Sequence, residues 1–248
     1  MTVSLGGRAR PRPVAAVAGL SALVWAGRLL RLRRSVRRYA QFWRGSVGQD
    51  GGLLYVALGD SAAQGIGASA PQRGYVGLLA AQLREATGRP VRVVNLSVSG
   101  ARVADVVCDQ LPALALYPAA DLVTVAVGGN DLRRYDAEQY AADLARLVAG
   151  LPVGPSVVAD IPYFMHGHFE RDAAAAAVLL SERAAERGLV VAALHEQMQA
   201  GGWRAMFTSY AADLFHPNDR GHRTWEQAFW TAITADAALR ARLRLAST

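Results

Sequence analysis

In "LLYVALGDSAAQG", residues 53 to 65, an apolar run stops at Gly59-Asp60-Ser61. A serine hydroxyl is a weak nucleophile unless a base stands within hydrogen-bond reach. Far along the chain, "DLFHP", residues 213 to 217, offers that base in His216 and an acid three residues before it in Asp213. Pro217 biases His216 toward an extended backbone. A tight D-x-x-H turn then brings the carboxylate to Nδ1 and leaves Nε2 to face a hydroxyl. The acid fixes the imidazole tautomer and stabilises the imidazolium, as acyl transfer through a serine requires. His166, His168, His195 and His222 stand outside such a turn. Acyl transfer also needs donors aimed at the oxygen that becomes charged. Gly100 permits close approach of a backbone N–H, Asn130 carries a side-chain amide, and Ser61 has its own N–H.

These residues need elements that present them together. Short apolar runs at Leu53–Leu58, Val91–Leu96, Leu122–Val127, Ser156–Ile161 and Leu189–Leu194 read as strands. Between them, periodic patterns predict helices over Tyr75–Ala86, Val103–Leu111, Asp136–Val148 and Phe169–Arg187. A last helix, roughly Asp219 to Arg240, has Asn218 or Asp219 as its cap. Near-continuous apolar strands alternating with helices imply a mostly parallel sheet between helical layers. Ligands of such sheets bind beyond the carboxyl ends of the strands. That is where the polar punctuation falls: Gly59-Asp60-Ser61, then Ser97 to Gly100, then Gly128 to Asp131.

Four ordered blocks carry a family resemblance: "GDS" at 59–61, the glycine of "NLSVSGARV" at 100, "GGND" at 128–131 and "DLFHP" at 213–217. They resemble the blocks of the SGNH hydrolases, also called GDSL lipases/esterases, over about residues 53 to 235. The resemblance implies a flavodoxin-like three-layer α/β/α sandwich with a five-stranded parallel sheet. It implies Ser61 as nucleophile, His216 as base and then acid, and Asp213 as the orienting carboxylate. Gly100, Asn130 and the Ser61 N–H would form the oxyanion hole, with no metal or organic cofactor. Asp60 and Asp131 would be structural. Ala62 replaces the leucine of the name motif, at a position that does no chemistry. Other nucleophile and nucleotide patterns are missing: there is no G-x-S-x-G around Ser61, no G-x-G-x-x-G, and no lysine for a P-loop.

Charge divides the chain. Ten of its 27 basic residues, all arginines, lie in residues 1–49, which hold no acid; from residue 50 on, the remaining 17 face 20 acids. The basic balance therefore belongs to an N-terminal arm, which excludes nucleic acid as the partner of the body. In the arm, Arg8, Arg10 and Arg12 precede an uncharged run from Val14 to Gly27, shorter than a bilayer span unless Leu29 and Leu30 are included. A signal peptide, with Val24-x-Ala26 as cleavage site, is an alternative that leaves an exported form open. Behind it, Leu29, Leu32, Val36, Tyr39, Ala40 and Trp43 share one face of a basic amphipathic helix. That pattern suits an anionic membrane interface. "SVGQDGG", residues 46 to 52, reads as a linker, so the expected organisation is a membrane-associating arm, 1–49, and a hydrolase domain, 50–248. Lone Cys108 in "VADVVCDQL" is expected buried and inert.

The substrate side is read from "PYFMHGHF", where Tyr163, Phe164 and Met165 are candidates to line an acyl pocket, and from Phe207 ahead of the base. An apolar, partly aromatic wall fits a lipid or simple acyl ester, or a thioester, better than a polysaccharide. An acyltransferase with the same triad and a catalytically silent domain that binds a ligand at the membrane are the alternatives.

Overall fold

The computed structural model describes residues 13–46, 52–165 and 167–245. Arg8, Arg10 and Arg12, most of the expected linker, and His166 lie outside the described residues. Five parallel strands are laid out in the order β2-β1-β3-β4-β5. They are β1 Leu53–Gly59, β2 Val91–Asn95, β3 Leu122–Ala126, β4 Ser156–Ala159 and β5 Val190–Ala192. All five fall on the apolar runs picked out in the sequence. The order reverses between β1 and β3, so the crevice beyond their carboxyl ends is the switch point where such sheets bind ligands.

Eleven helices are described: α1 Pro13–Ser46, α2 Ser61–Gln64, α3 Tyr75–Thr87, α4 Val103–Asp105, α5 Leu111–Leu114, α6 Ala137–Gly150, α7 Gly167–Glu186, α8 Leu194–Gln199, α9 Gly202–Thr208, α10 Asp219–Ala235 and α11 Ala237–Leu243. The period of two along β1 sorts its side chains onto two faces. Leu53, Tyr55 and Ala57 join a core with Leu79 and Leu83 of α3 and Trp225 and Phe229 of α10. Val56 and Leu58 join another with Leu144 and Leu147 of α6 and Leu180 of α7. The result is the expected three-layer sandwich. Tyr75 stacks between Phe229 at 5.1 Å and Trp225 at 5.7 Å. Burying the Phe229 side chain contributes about 1.5–3 kcal/mol.

Two helical expectations change. Asn218 caps α10, accepting from Arg220 N and Gly221 N, but the last helix breaks at Asp236. The Asp236 carboxylate accepts from Leu239 N at 2.8 Å and starts α11 afresh. The stretch expected as one helix over Val103–Leu111 is divided by a π-helical turn, Val106–Gln110. Cys108 is exposed, correcting its expected burial. Val103, Val106 and Gln110 form the buried stripe, and residues two apart do not share a helix face.

That turn has a purpose at the end of β1. The Gln110 amide, 2% exposed, receives Gly59 N–H at 2.8 Å and donates to Gly59 O at 2.8 Å. Gly59 has φ +137°, and a Cβ there would lie 2.1 Å from Ala126 O, so no other residue fits. Gln110→Ala strands the Gly59 N–H, while Gly59 O keeps the bond from Val98 N at 3.1 Å, and should lower the urea-unfolding free energy by about 1–3 kcal/mol. A loss within about 0.5 kcal/mol, the range of ordinary surface substitutions, would show the clamp to be dispensable.

The arm turns back onto the domain. Tyr39 and Trp43, on the face expected for a membrane, are buried: Tyr39 Oη donates to Ala68 O at 2.8 Å and Trp43 Nε1 to Gln64 O at 3.0 Å. Val24, Trp25 and Leu30 remain exposed. Among the described residues, no helix is long and apolar enough to cross a membrane.

Candidate active site

Ser61 opens α2 directly beyond β1. Asp60 is the N-cap, its Oδ1 accepting from Ala62 N at 2.9 Å. Asp60 Oδ2 accepts from Asn130 Nδ2 at 3.2 Å, tying the β1 turn to the β3 turn. Burial pushes the Asp60 carboxyl up to about 6, against the Ala62 hydrogen bond and the nearby His216, which lower it. Gln64 fastens the next loop: Nε2 donates to Ser97 O at 2.8 Å, and Oε1 accepts from Ser99 Oγ at 2.6 Å. Asn95 Nδ2 adds a bond to Ala63 O at 2.7 Å. The first two loops are thus set relative to one another by the buried amide of Gln64 and the half-buried amide of Asn95.

Ser61 and His216 meet across 155 residues of sequence, with Nε2 at 2.9 Å from Oγ. His216 Nδ1 lies 2.5 Å from Asp213 Oδ2. Asp213 Oδ1 accepts from Phe215 N and His216 N, each at 3.1 Å, which closes the D-x-x-H turn as the spacing requires. Burial would raise the Asp213 carboxyl, but the His216 hydrogen bond and charge outweigh it and hold the group below its ordinary value. Asp213 is therefore ionised at neutral pH, which places the shared proton on Nδ1 and leaves Nε2 to accept from Ser61 Oγ–H.

Asn130 Nδ2 also donates to Ala101 O at 3.0 Å, so this amide is engaged on the β2 loop as well as on Asp60. Gly100 occupies the turn between, exposed, with φ +88°. Asp131 Oδ2 accepts from Val103 N at 3.3 Å; burial raises that carboxyl to about 6.

Beside the Ser61–His216 pair lies a narrow cavity of about 30 Å³, walled by Ala62, Val127, Pro162, Phe164, Phe215 and Trp225. Tyr163 and Phe164 line it, as the sequence suggested. Met165 lines a neighbouring cavity instead. Phe207 is 75% exposed on α9 and lines neither; its ring meets Trp203 edge-on at 6.3 Å. An aromatic residue near a motif does not reveal which way its helix faces. Sequence reasoning passed over Asp160, which lines the cavity with its carboxyl pushed up to about 6 by burial. Its position just beyond β4, matching Asp60 beyond β1, was the available signal.

His222, fully buried in the first turn of α10, is structural. Nδ1 accepts from Tyr75 N at 3.3 Å and Nε2 donates to Ile66 O at 3.1 Å. Burial lowers its pKa to about 4. The unfolded chain takes up this proton near 6.5, so the group's contribution is intact above that pH and is lost as pH falls toward 4. Asp60, Asp131 and Asp160, with raised pKa values, act oppositely over about pH 4 to 6. In a proton NMR titration the His222 Cε1–H resonance should stay flat from pH 8 down to 5; a midpoint near the ordinary histidine value contradicts this.

A parallel doubly wound sheet with a hydrogen-bonded serine, histidine and aspartate at its switch point defines a class of serine hydrolase. Residues 57–224, more than half of the chain, match the GDSL-like lipase/acylhydrolase family, and the chain belongs to that family. It is accordingly a serine ester hydrolase. Among solved structures it is similar to LAE5, an α/β hydrolase enzyme from the metagenome of Lake Arreo, Spain, at 25% identity and TM-score 0.60, over 75% of this chain and 97% of that one. TesA is similar at 26% identity and TM-score 0.60, over 73% and 97%. The lipase/acylhydrolase from Enterococcus faecalis shares the fold at 18% identity and TM-score 0.62, over 79% and 98%. A comparison with curated protein sequences gives no match.

Proposed function

We propose that the chain cleaves carboxylic esters or thioesters of short, simple acyl groups through an acyl-enzyme on Ser61. The observation that carries this reading is the continuous Ser61–His216–Asp213 hydrogen-bond chain beside an apolar cavity. Ser61 Oγ attacks the carbonyl carbon as its proton passes to His216 Nε2. Asp213 steadies the imidazolium. The tetrahedral oxyanion takes hydrogen bonds from the N–H groups of Ser61 and Gly100 and from Asn130 Nδ2. Since Asn130 already donates to Asp60 and Ala101, the oxyanion has to take over one of these bonds. Collapse expels the alcohol or thiol, which leaves with the proton from Nε2. Water then attacks the acyl-enzyme with His216 again as base, releasing the carboxylic acid and restoring Ser61.

A cavity of about 30 Å³ holds one or two water-sized groups, which favours small acyl portions. A p-nitrophenyl ester series tests this: acetyl and butyryl esters should turn over faster than octanoyl and palmitoyl esters. No turnover on any of them would sink the reading. Adding glycerol as an acceptor tests the acyltransferase alternative, which requires the acylated alcohol to outweigh free acid among the products.

The exposed Val24, Trp25 and Leu30, set among arginines of α1, support a further part of the proposal, association with an anionic membrane surface. Cosedimentation with phosphatidylglycerol vesicles, but not with phosphatidylcholine vesicles, is the expected result.

A further inference from the structure

A groove of about 670 Å³ runs between α1 and the loops behind the active site. Arg28, Arg31, Arg34 and Arg38 line it from α1, while Ser69 and Asn218 line it from the domain. The carboxylates on the adjoining loops are already engaged. Asp219 accepts from Ser69 N and Oγ and pairs with Arg73 at 3.2 Å, and Asp213 is held by His216. Among the described residues, Arg28, Arg31 and Arg34 form no ion pair. Un-neutralised guanidinium groups around one concavity favour a compact, multiply charged oxyanion, and their planar forks match phosphate. The volume falls in the range of small-molecule sites.

The groove adjoins the catalytic cavity. Tyr210 lines both. Gly67, also on the groove, backs onto the base: a Cβ there would lie 3.0 Å from His216 Cβ and 2.2 Å from Pro217 O. Trp25 Nε1 donates to Ala212 O at 2.9 Å, so α1 also grips the loop that carries Asp213. The arginine wall lies outside residues 57–224, the part that matches the family.

We propose that this groove binds phosphate, and that it holds the phosphate of the substrate's leaving group, an alcohol or thiol, while the acyl carbonyl meets Ser61. The second half rests on the hydrolase reading; the first does not. Pyrophosphate binding to full-length Ser61→Ala, followed by calorimetry, reads the first half without turnover. Arg31→Gln with Arg34→Gln in that background should weaken binding about tenfold or more. Arg33→Gln with Arg37→Gln, which removes the same charge from exposed residues outside the groove, should weaken it far less. With Ser61 intact, butyryl coenzyme A and micellar lysophosphatidylglycerol are compared with neutral p-nitrophenyl butyrate. The ratio of kcat/KM for one phosphate-bearing ester to that for the neutral ester should fall about tenfold in the Arg31/Arg34 variant. A response in the first arm assigns a soluble substrate, and a response in the second a lipid. Absence of pyrophosphate binding, or equal losses in the two arginine pairs, overturns the phosphate site. An unchanged ratio in both arms overturns the leaving-group assignment. Pyrophosphate binding without turnover of any ester overturns the hydrolase reading and upholds the phosphate site alone.

Discussion

Ser61→Ala should lower kcat/KM on p-nitrophenyl butyrate by about ten-thousandfold or more while leaving the urea-unfolding midpoint nearly unchanged. The hydroxyl is the only atom group removed, and its partner is His216 Nε2 at 2.9 Å. The Asp60 cap, the Gln64 bonds and the Gln110 clamp on Gly59 do not involve Ser61 Oγ, so the local fold keeps its supports. Residual hydrolysis above the solvent rate would come from positioning and oxyanion donors. A variant retaining more than about a tenth of the activity would mean that another group forms the covalent bond, because a triad serine is not that replaceable.

Asp213→Asn should cost about ten-thousandfold in kcat, with a far smaller change in KM. The backbone donations from Phe215 and His216 go to Oδ1, which an asparagine oxygen can still accept. The amide then takes the place of Oδ2, and its N–H₂ donates toward Nδ1. The imidazole proton is driven to Nε2, the nitrogen that has to accept from Ser61. Geometry survives and the tautomer is wrong. Stopped-flow or steady-state assay of the purified variant checks this, and a loss smaller than about tenfold would show that Asp213 does not set the tautomer.

Much of this site was legible in the sequence because its parts are local. β1 is a near-continuous apolar run that stops at Gly59, two residues before Ser61, and Asp213 and His216 are three residues apart before a proline, so neither needs tertiary knowledge to be noticed. The five strands were legible for the same reason: burial on both faces leaves little but Val, Leu and Ala in them. Other features depend on direction or on distant partners. The periodicity of α1 showed an amphipathic face and could not say that Tyr39 and Trp43 close onto Ala68 and Gln64 of the chain itself. A short helical pattern around Cys108 allows several phases, and Val106 and Gln110 settle which one is buried. Gln110, Asn95 and Gln64 looked like ordinary polar residues; their importance lies in backbone groups far away in sequence. The nearness of Phe207 and Met165 to motifs in the sequence fixes neither helix face nor loop course.

The central claim is that Ser61 is an activated nucleophile, and covalent capture tests it most directly. Folded full-length protein is treated with a fluorophosphonate and examined by intact mass and peptide mapping. The expected result is one phosphonyl group per chain, carried on the peptide containing Ser61 and lost in Ser61→Ala. Labelling on a different residue, or no labelling of folded protein by a reagent that reacts with activated serines, would contradict it.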